Sequence, residues 1–241
     1  MKKIYLILCL FGLSVAAIAE ESNVNLSDVK KELRGYHDDG SYARDLIAVS
    51  HEAKAYLDQR LAATSSQPKK KLAIVYDIDE TLLSNYKRIE KNDFGAPLFY
   101  VIQSLKSADA QPIQPMLDLY NYAQAKSVTQ FFVTGRQEDL RPCTIKNLQQ
   151  AGYSGWKKLY LEPAGAHYKS AADFKAEVRK EIMNQGYDIV FSIGDQCSDL
   201  EAAPDLPKPA VEIALPKICH NEMGDYEDRG FKLPNPYYFI P

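Results

Sequence analysis

Short apolar segments that alternate with helical segments constrain the fold of this 241-residue chain more than any other feature of its sequence. These segments are rich in branched or aromatic residues, which is typical of strands buried on both faces. The predicted strands are residues 72–76, 131–133, 159–161, 189–193 and 211–215. Strands that alternate with helices predict the α/β class, with a parallel sheet and helices on both of its faces.

Helical periodicity is clearest in residues 138–151 and 171–185, and each segment is followed by a glycine suited to a helix C-terminus. Residues 26–63 also place apolar side chains at helical spacing, with a break near residues 35–40, which predicts N-terminal helices. The stretch 83–126 is too long for one crossover. We expect it to hold two helices that form a small cap over the carboxyl edge of the sheet.

After a leader, these patterns divide the chain into an N-terminal helical segment, a core, and a cap inserted into the core. Residues 20–71 form an N-terminal helical segment and a polar, basic linker, and residues 72–241 form the core, with the cap inserted at about 83–126. Hydrophobic residues make up 46% and charged residues 25%, which is typical of globular proteins rather than disordered ones. The formal charge of −3 lacks the broad positive field of a nucleic-acid binder, so we expect no nucleic-acid polymer as partner.

The N-terminus predicts a cleaved signal peptide over residues 1–19. Lys2 and Lys3 precede an apolar run, which ends in the small residues Ala17 and Ala19 of a leader-peptidase site. The run of about 15 residues is shorter than the roughly 20 that span a bilayer, so a retained membrane anchor is the weaker alternative. We expect export to the periplasm or the outside, without a stable membrane anchor.

Cleavage removes Cys9 and leaves Cys143, Cys197 and Cys219. An oxidising compartment permits one disulfide and one free thiol among the three, and the spacing leaves the pairing open. We expect structural cysteines rather than a thiol nucleophile or a zinc site.

Two carboxylates follow the first predicted strand. Alternation points Asp77 and Asp79 the same way and turns Ile78 into the core. Such a close pair needs a shared cation or a retained proton, which suits a hard divalent ion or a general acid. The alternative is a solvated acidic turn. A calcium-binding EF-hand is excluded because Leu82 and Arg88 stand where that loop needs Gly and Glu.

Polar residues also stand at two other predicted strand ends. Thr134 and Gly135 follow the second strand, where a hydroxyl and backbone N–H groups can hold a phosphate oxygen. Asp195 and Asp199 follow the fourth strand and lie four residues apart, so they share a face if a helix starts there. Lys175, in the preceding helix, would neutralise a phosphate, although a solvated helix face is the alternative for a single lysine.

Taken in order, these motifs resemble the haloacid dehalogenase superfamily of phosphatases. Within it, the sequence is similar to the secreted acid phosphatases of the class B/class C group (subfamily IIIB), which include plant vegetative storage proteins. The motifs that carry the resemblance are DIDETLLSNY (77–86), FFVTGR (131–136), FKAEVRKEIMNQGYDIV (174–190), SIGDQCSDL (192–200) and LPNPYY (233–238). The resemblance implies a Rossmann-like core of about five parallel strands. Some storage-protein relatives lack the nucleophilic aspartate, and its presence here as Asp77 favours activity.

The resemblance also implies roles for the candidate residues. Asp77 would attack phosphorus and form a phosphoaspartyl intermediate. Asp79 would protonate the leaving oxygen and then deprotonate the hydrolytic water. Thr134, Gly135 and Lys175 would hold the transferring phosphoryl group.

A magnesium site is implied in the same way. Mg²⁺ would be bound by the Asp77 carboxylate, the Asp79 backbone carbonyl and Asp195, with Asp199 as a direct or water-mediated ligand. Lys169 is the alternative to Lys175 as the phosphate-binding lysine, because it also stands in a pattern typical of the group.

The predicted function is therefore a secreted, Mg²⁺-dependent acid phosphatase that acts on small-molecule phosphomonoesters, with nucleotides among the candidates. A non-catalytic binding or storage protein and a phosphotransferase are the alternatives. Four aromatic residues, Tyr86, Phe94, Phe99 and Tyr100, lie between the first two motifs, where packing of the cap is favoured over stacking on a substrate ring. Arg136 is predicted either to reach the substrate or to anchor its loop.

Overall fold

A computed structural model of the chain describes residues 25–64, 71–165, 168, 170–200, 224–226 and 230–238. The predicted signal peptide, the linker residues 65–70, Lys169, Cys219 and the predicted strand 211–215 lie outside the described residues.

Eight strands and seven helices are described, apart from two short 3₁₀ turns. The strands are β1 (Lys71–Tyr76), β2 (Leu83–Ser84), β3 (Gln111–Pro112), β4 (Thr129–Gln137), β5 (Lys158–Glu162), β6 (Tyr187–Gly194), β7 (Gly224–Tyr226) and β8 (Gly230–Lys232). The helices are α1 (Leu26–Asp38), α2 (Ser41–Thr64), α3 (Tyr86–Lys91), α4 (Leu98–Ser107), α5 (Gln114–Ala125), α6 (Arg141–Gln150) and α7 (Ala171–Asn184). Four of the five predicted strands and the clearest predicted helices are thus confirmed.

The main sheet has the strand order β5-β4-β1-β6-β8-β7 among the described residues. Its first five strands are parallel, and β7 pairs antiparallel with β8 at the edge. The predicted α/β fold with about five parallel strands is confirmed. The fifth parallel strand is β8, which the sequence patterns did not identify.

Apolar side chains cover both faces of the sheet. Ile74 and Phe132 belong to a core that includes side chains of α2 and α5, whereas Val75 and Phe131 pack on the other face with Phe174 of α7. The strands are therefore buried on both faces, which explains why their sequences are continuous apolar runs. This packing fixes the carboxyl ends of β4, β1 and β6 side by side.

The expectation of two helices in residues 83–126 was wrong, because this stretch holds α3, α4 and α5. The third helix buries Met116, Leu119, Tyr120 and Ala123. Since these positions form one helical stripe, α5 packs into the core on one face of the sheet instead of over its carboxyl edge. The antiparallel pair β2–β3 brackets the segment that contains the other two helices, α3 and α4.

Glycines end the helices where the sequence predicts. Gly152 and Gly186 follow α6 and α7 with φ of +96° and +86°, a conformation that favours glycine at a helix C-terminus. At its start, α7 is capped by Ser170, whose side chain accepts a hydrogen bond from Asp173 N at 3.3 Å. Among the described helices, none combines the length and apolar character that crossing a membrane requires.

Candidate active site

The carboxyl edge of the sheet forms one wall of a pocket of about 570 Å³. Because β4, β1 and β6 are neighbours, the residues that end these strands meet there, and α7 adds a lysine from the side. The predicted site residues that line the pocket are Asp77, Asp79, Thr134, Gly135, Lys175 and Asp195. Asp199 lies next to this wall, bound to the same lysine.

Lys175 joins two carboxylates at the bottom of the site. Its Nζ donates to Asp77 Oδ1 at 2.9 Å and also to Asp199 Oδ1. Burial alone would lower the pKa of Lys175, but the charges of Asp199 and Asp77 outweigh it and raise the pKa above its usual value, so the lysine is charged. Asp77 Oδ2 accepts no hydrogen bond from a described residue, so one oxygen of this carboxylate is available for other chemistry.

Arg136 holds Asp79 in a two-pronged ion pair. Its Nε lies 2.8 Å from Asp79 Oδ2 and its Nη2 lies 2.7 Å from Oδ1, while Asn85 Nδ2 donates to Oδ1 at 2.8 Å. Burial would raise the pKa of Asp79, but the charge and hydrogen bonds of Arg136 dominate and hold the pKa below its usual range. Asp79 is therefore ionised here: it is ready to act as a base, and it must take up a proton before it can act as an acid.

Hydrogen bonds orient both carboxylates that follow β6. Asp195 Oδ1 accepts from Thr81 Oγ1 at 3.2 Å, and its Oδ2 accepts from Gln196 Nε2 at 2.6 Å and Asn235 Nδ2 at 2.8 Å. Asp199 Oδ2 accepts from Gln196 N at 2.8 Å. Burial, reinforced by the charge of Asp199, raises the pKa of Asp195 to about 6.

Three of these side chains could hold a metal ion. Asp77, Asp195 and Asp199 are buried, and each offers a carboxylate oxygen within 4.8 Å of the others. Burial and the charges of Asp199 and Asp195 raise the pKa of Asp77 well above its usual value, which shows that one lysine does not fully balance the cluster. A set of hard oxygen donors with excess negative charge fits a cation such as Mg²⁺. Coordination by the Asp79 carbonyl stays a prediction.

Gly194, at the end of β6, lets the backbone lie very close to the carboxylate of Asp199. A Cβ atom at this position would lie 2.3 Å from both Cβ and Oδ2 of Asp199, far inside normal contact. Only glycine therefore lets Asp199 occupy its present position.

The predicted phosphate-binding pair lies on the β4 side of the pocket. Thr134 is buried, and its Oγ1 accepts a hydrogen bond from Arg136 N at 3.2 Å. Gly135 is exposed, and the place of its missing Cβ has no neighbour within 4 Å, so a substrate can approach its backbone. This placement suits the predicted role, which stays a prediction.

Sequence reasoning missed a network of hydrogen bonds around Glu80, which joins the loop after β1 to Tyr238 far along the chain. Glu80 is buried; its Oε1 accepts from Asn85 N at 2.6 Å and its Oε2 accepts from Tyr238 Oη at 2.5 Å. Burial, together with the charges of Asp79 and Asp195, raises the pKa of Glu80 to about 8. Asn85 and Tyr238 stand in two of the motifs noted above, but no spacing in the sequence indicates that they meet.

The cap supplies an apolar wall opposite the carboxylates. Ile89 of α3 and Tyr100, Val101 and Leu105 of α4 line the pocket, with Arg88 among them. The pocket thus has a charged, catalytic-type floor and a largely apolar side.

Packing explains two of the four aromatic residues noted in the sequence. Tyr86 stacks on His37 with ring centroids 3.4 Å apart, and Phe94 lies 6.3 Å from the ring of Tyr237. Tyr100 lines the pocket, whereas Phe99 is exposed.

The two described cysteines agree with the prediction of one disulfide and one free thiol. Cys143 is free, and its Sγ donates to Leu140 O at 3.0 Å. Cys197 is disulfide-bonded, and its partner lies outside the described residues.

Comparison with known proteins identifies a family. A family model for subfamily IIIB of the HAD superfamily (acid phosphatase) matches residues 10–241. Acid phosphatase 1 of Solanum lycopersicum is 31% identical over 169 residues, which cover 69% of this chain and 58% of that protein. The stem 28 kDa glycoprotein of Glycine max is 30% identical over 83% of this chain and 70% of its own length. Vegetative storage protein 1 of Arabidopsis thaliana is 30% identical over 92% of this chain and 76% of its own length.

Solved structures support the same fold. The class C acid phosphatase of Bacillus anthracis superposes with a TM-score of 0.66 over 90% of this chain and 87% of that chain, at 22% identity. A second structure of that protein, with tungstate bound, gives a TM-score of 0.65. At this level of identity the likeness establishes the architecture alone.

Proposed function

The chain belongs to subfamily IIIB of the haloacid dehalogenase superfamily, that of the acid phosphatases, and from this premise we propose that it hydrolyses small-molecule phosphomonoesters through a phosphoaspartyl intermediate on Asp77. The observation that carries the proposal is the state of this carboxylate. One oxygen is held by Lys175 at 2.9 Å, and the other accepts no hydrogen bond from the described residues at the wall of an open pocket.

The first chemical step forms a bond between Asp77 Oδ2 and phosphorus and breaks the bond from phosphorus to the leaving oxygen. The leaving oxygen takes a proton from Asp79, which stands two residues along the same loop. Because Arg136 stabilises the ionised carboxylate, Asp79 must be protonated before this step, which acidic conditions favour. Asp79 then accepts a proton from the water that attacks the intermediate and releases inorganic phosphate.

Positive charge and hydrogen-bond donors at the floor of the site suit the transferring phosphoryl group. Lys175 lies within hydrogen-bond distance of Asp77 and would pair with a phosphoryl oxygen, while Thr134 Oγ1 and the backbone at Gly135 would bind another. Lys175 is preferred over Lys169 because its Nζ contacts the nucleophile directly.

Asp77, Asp195 and Asp199 would hold a divalent cation, Mg²⁺ in our proposal, which would supply charge neutralisation for the attacking carboxylate and the phosphoryl oxygens. Thr81, Gln196 and Asn235 would keep the ligand carboxylates in place through the hydrogen bonds described above.

The predicted signal peptide over residues 1–19 supports a secreted or periplasmic enzyme. The mature protein would then meet phosphomonoesters outside the cytoplasm, nucleotides among them. The vegetative storage proteins among its relatives make a non-catalytic role the alternative. The paired carboxylates Asp77 and Asp79, with Lys175 bound to Asp77, favour catalysis.

The test is hydrolysis of p-nitrophenyl phosphate by the mature protein, with Mg²⁺ or with EDTA, from acid to neutral pH. We expect activity that EDTA removes and that Asp77→Asn abolishes, while Asp118→Asn, an exposed residue of α5, leaves it unchanged. Full activity of Asp77→Asn would refute the mechanism. Turnover of no phosphomonoester in a nucleotide and sugar-phosphate panel would favour the storage function, and phosphoglycerol formed in added glycerol would reveal phosphotransfer.

A further inference from the structure

The N-terminal half of helix α4 exposes a run of apolar side chains at the mouth of the pocket. Leu98 is 72% exposed and Phe99 71%, and the three apolar residues that follow are also exposed. Elsewhere in the described chain, the only large exposed hydrophobic residues are Leu26 and Ile47. Single exposed apolar residues need no explanation, but a run of five on one helix indicates a surface that something covers.

This surface continues into the pocket. Tyr100 and Val101 belong to the exposed run and also line the pocket, and Leu105 extends the lining one turn further. Ile89 of α3 adds a second apolar side chain to the same wall. An occupant that covers the outer surface therefore lies next to the entrance through which a substrate passes.

The charges of the cap differ in sign from those of the whole chain. The acidic residues in and beside α3 and α4 are paired with basic partners: Lys30–Asp93, Arg34–Glu90, Arg34–Asp93 and Arg88–Asp109. Lys87, Lys91 and Lys106 are exposed, and no ion pair joins them to a described residue. The cap thus offers uncompensated positive charge beside its apolar surface, on a chain whose formal charge is −3.

We propose that α3 and α4 dock reversibly on an anionic lipid surface, with the mouth of the pocket facing the lipid. Apolar side chains of α4 would enter the boundary between headgroups and acyl chains, and the three lysines would approach anionic headgroups. Docking by a helix that lies on the surface needs no membrane-spanning segment. A second copy of the chain is a poorer occupant, because a symmetric contact through this surface brings lysines of like charge together.

One consequence rests on the proposed function. An amphiphilic phosphomonoester in the lipid layer would reach Asp77 with its phosphate, while its acyl chains contact the apolar wall and the outer face of α4. The docking surface itself does not depend on catalysis.

Sedimentation of the mature protein with large vesicles tests the docking. We expect binding to vesicles of phosphatidylcholine with phosphatidylglycerol, and much weaker binding to phosphatidylcholine alone. Leu98→Ser with Phe99→Ser should lower the partition coefficient at least about tenfold, because both side chains lose their burial in lipid. The control, Leu26→Ser with Ile47→Ser, removes the two large apolar residues exposed elsewhere in the described chain, at 66% and 44%, and should leave binding unchanged.

Replacement of the three lysines provides an independent test of the docking. Replacing Lys87, Lys91 and Lys106 by Gln should weaken binding to anionic vesicles by about fivefold for each lysine and remove the preference for anionic lipid. High salt should also weaken the binding of the wild type to anionic vesicles, because it screens the charges of these lysines.

Activity separates this proposal from the proposed function. Leu98→Ser with Phe99→Ser should hydrolyse soluble p-nitrophenyl phosphate at the wild-type rate and vesicle-borne phosphatidate more slowly. Wild type that binds vesicles but hydrolyses neither substrate would overturn the function and leave the docking intact. Failure of the wild type to bind anionic vesicles, or equal binding by the α4 variant, would overturn the docking. A dimer in sedimentation velocity that the α4 variant dissociates, without vesicle binding, would assign the surface to a second copy instead.

Discussion

Gly194 lies so close to Asp199 that one added methyl group tests the arrangement of the site. The φ of Gly194 lies outside the left-handed region, so alanine can adopt this backbone and only the lack of space decides the outcome. The new Cβ would lie 2.3 Å from Cβ and Oδ2 of Asp199, whereas carbon atoms in contact are about 3.5–4.0 Å apart. Gly194→Ala must therefore displace Asp199 by roughly 1–2 Å.

The size of the effect follows from that displacement. Overpacking of this kind costs about 1–3 kcal/mol of stability. A misplacement of about 1 Å in a catalytic site costs on the order of 100-fold in rate. Asp199 would also lose its alignment with Lys175 and with the other candidate metal ligands, so we expect the apparent affinity for Mg²⁺ to fall about 10- to 100-fold.

The assay compares kcat/KM for p-nitrophenyl phosphate, its dependence on Mg²⁺ concentration, and the thermal midpoint. Gly35→Ala is the matched control, because a Cβ there meets nothing within 4 Å and the residue lies inside α1. That substitution should leave activity unchanged and stabilise the protein by about 0.5–1 kcal/mol. Gly194→Ala with wild-type kcat/KM and an unchanged metal requirement would refute the assigned position of Asp199.

Three further predictions address other parts of the site. Lys175→Met leaves the Asp77 cluster without its lysine, so we expect loss of activity and about 3–5 kcal/mol of stability in denaturant unfolding; an unchanged midpoint would contradict the described ion pairs. The pKa of Glu80 is raised to about 8, so the folded state holds a proton that the unfolded state releases from about pH 4.5 upward. Stability measured in chelator should therefore fall between about pH 4.5 and 8, and Glu80→Gln should flatten that fall. Arg34→Ala removes two ion pairs to the cap that solvent screens, so we expect little change in the thermal midpoint. Because the cap wall is then held less firmly, KM for bulky substrates should rise with kcat unchanged, which Arg141→Ala, with its pair to Glu138, should not reproduce.

Local sequence signals were enough to predict four strands of the main sheet, β1, β4, β5 and β6, and the polar residues that follow three of them. The apolar run of β1 indicates a strand buried on both faces. The two aspartates that follow indicate that the chain leaves the sheet there. Asp77, Thr134 and Asp195 each follow or end such a run, and parallel pairing brings them together without further information.

Contacts between distant segments were not predictable in this way. Arg136 and Asp79 are 57 residues apart, and Tyr238 and Glu80 are 158 apart, so neither pair leaves a periodic pattern. Strand β8 is short and contains a glycine and a lysine, which hides its place in the sheet. The number of helices in residues 83–126 was not predictable, because the apolar stripe of α5 matches a cap helix and a core helix equally well.

The most direct test of the central claim is to trap the intermediate. The mature protein would be mixed with excess p-nitrophenyl phosphate, quenched in acid and reduced with borohydride, which converts an aspartyl phosphate to homoserine. Peptide mass spectrometry should then find homoserine at position 77 in the wild type and an unmodified residue in Asp77→Asn. Turnover of the substrate with no modification at position 77, or with modification at Asp79 instead, would contradict the account.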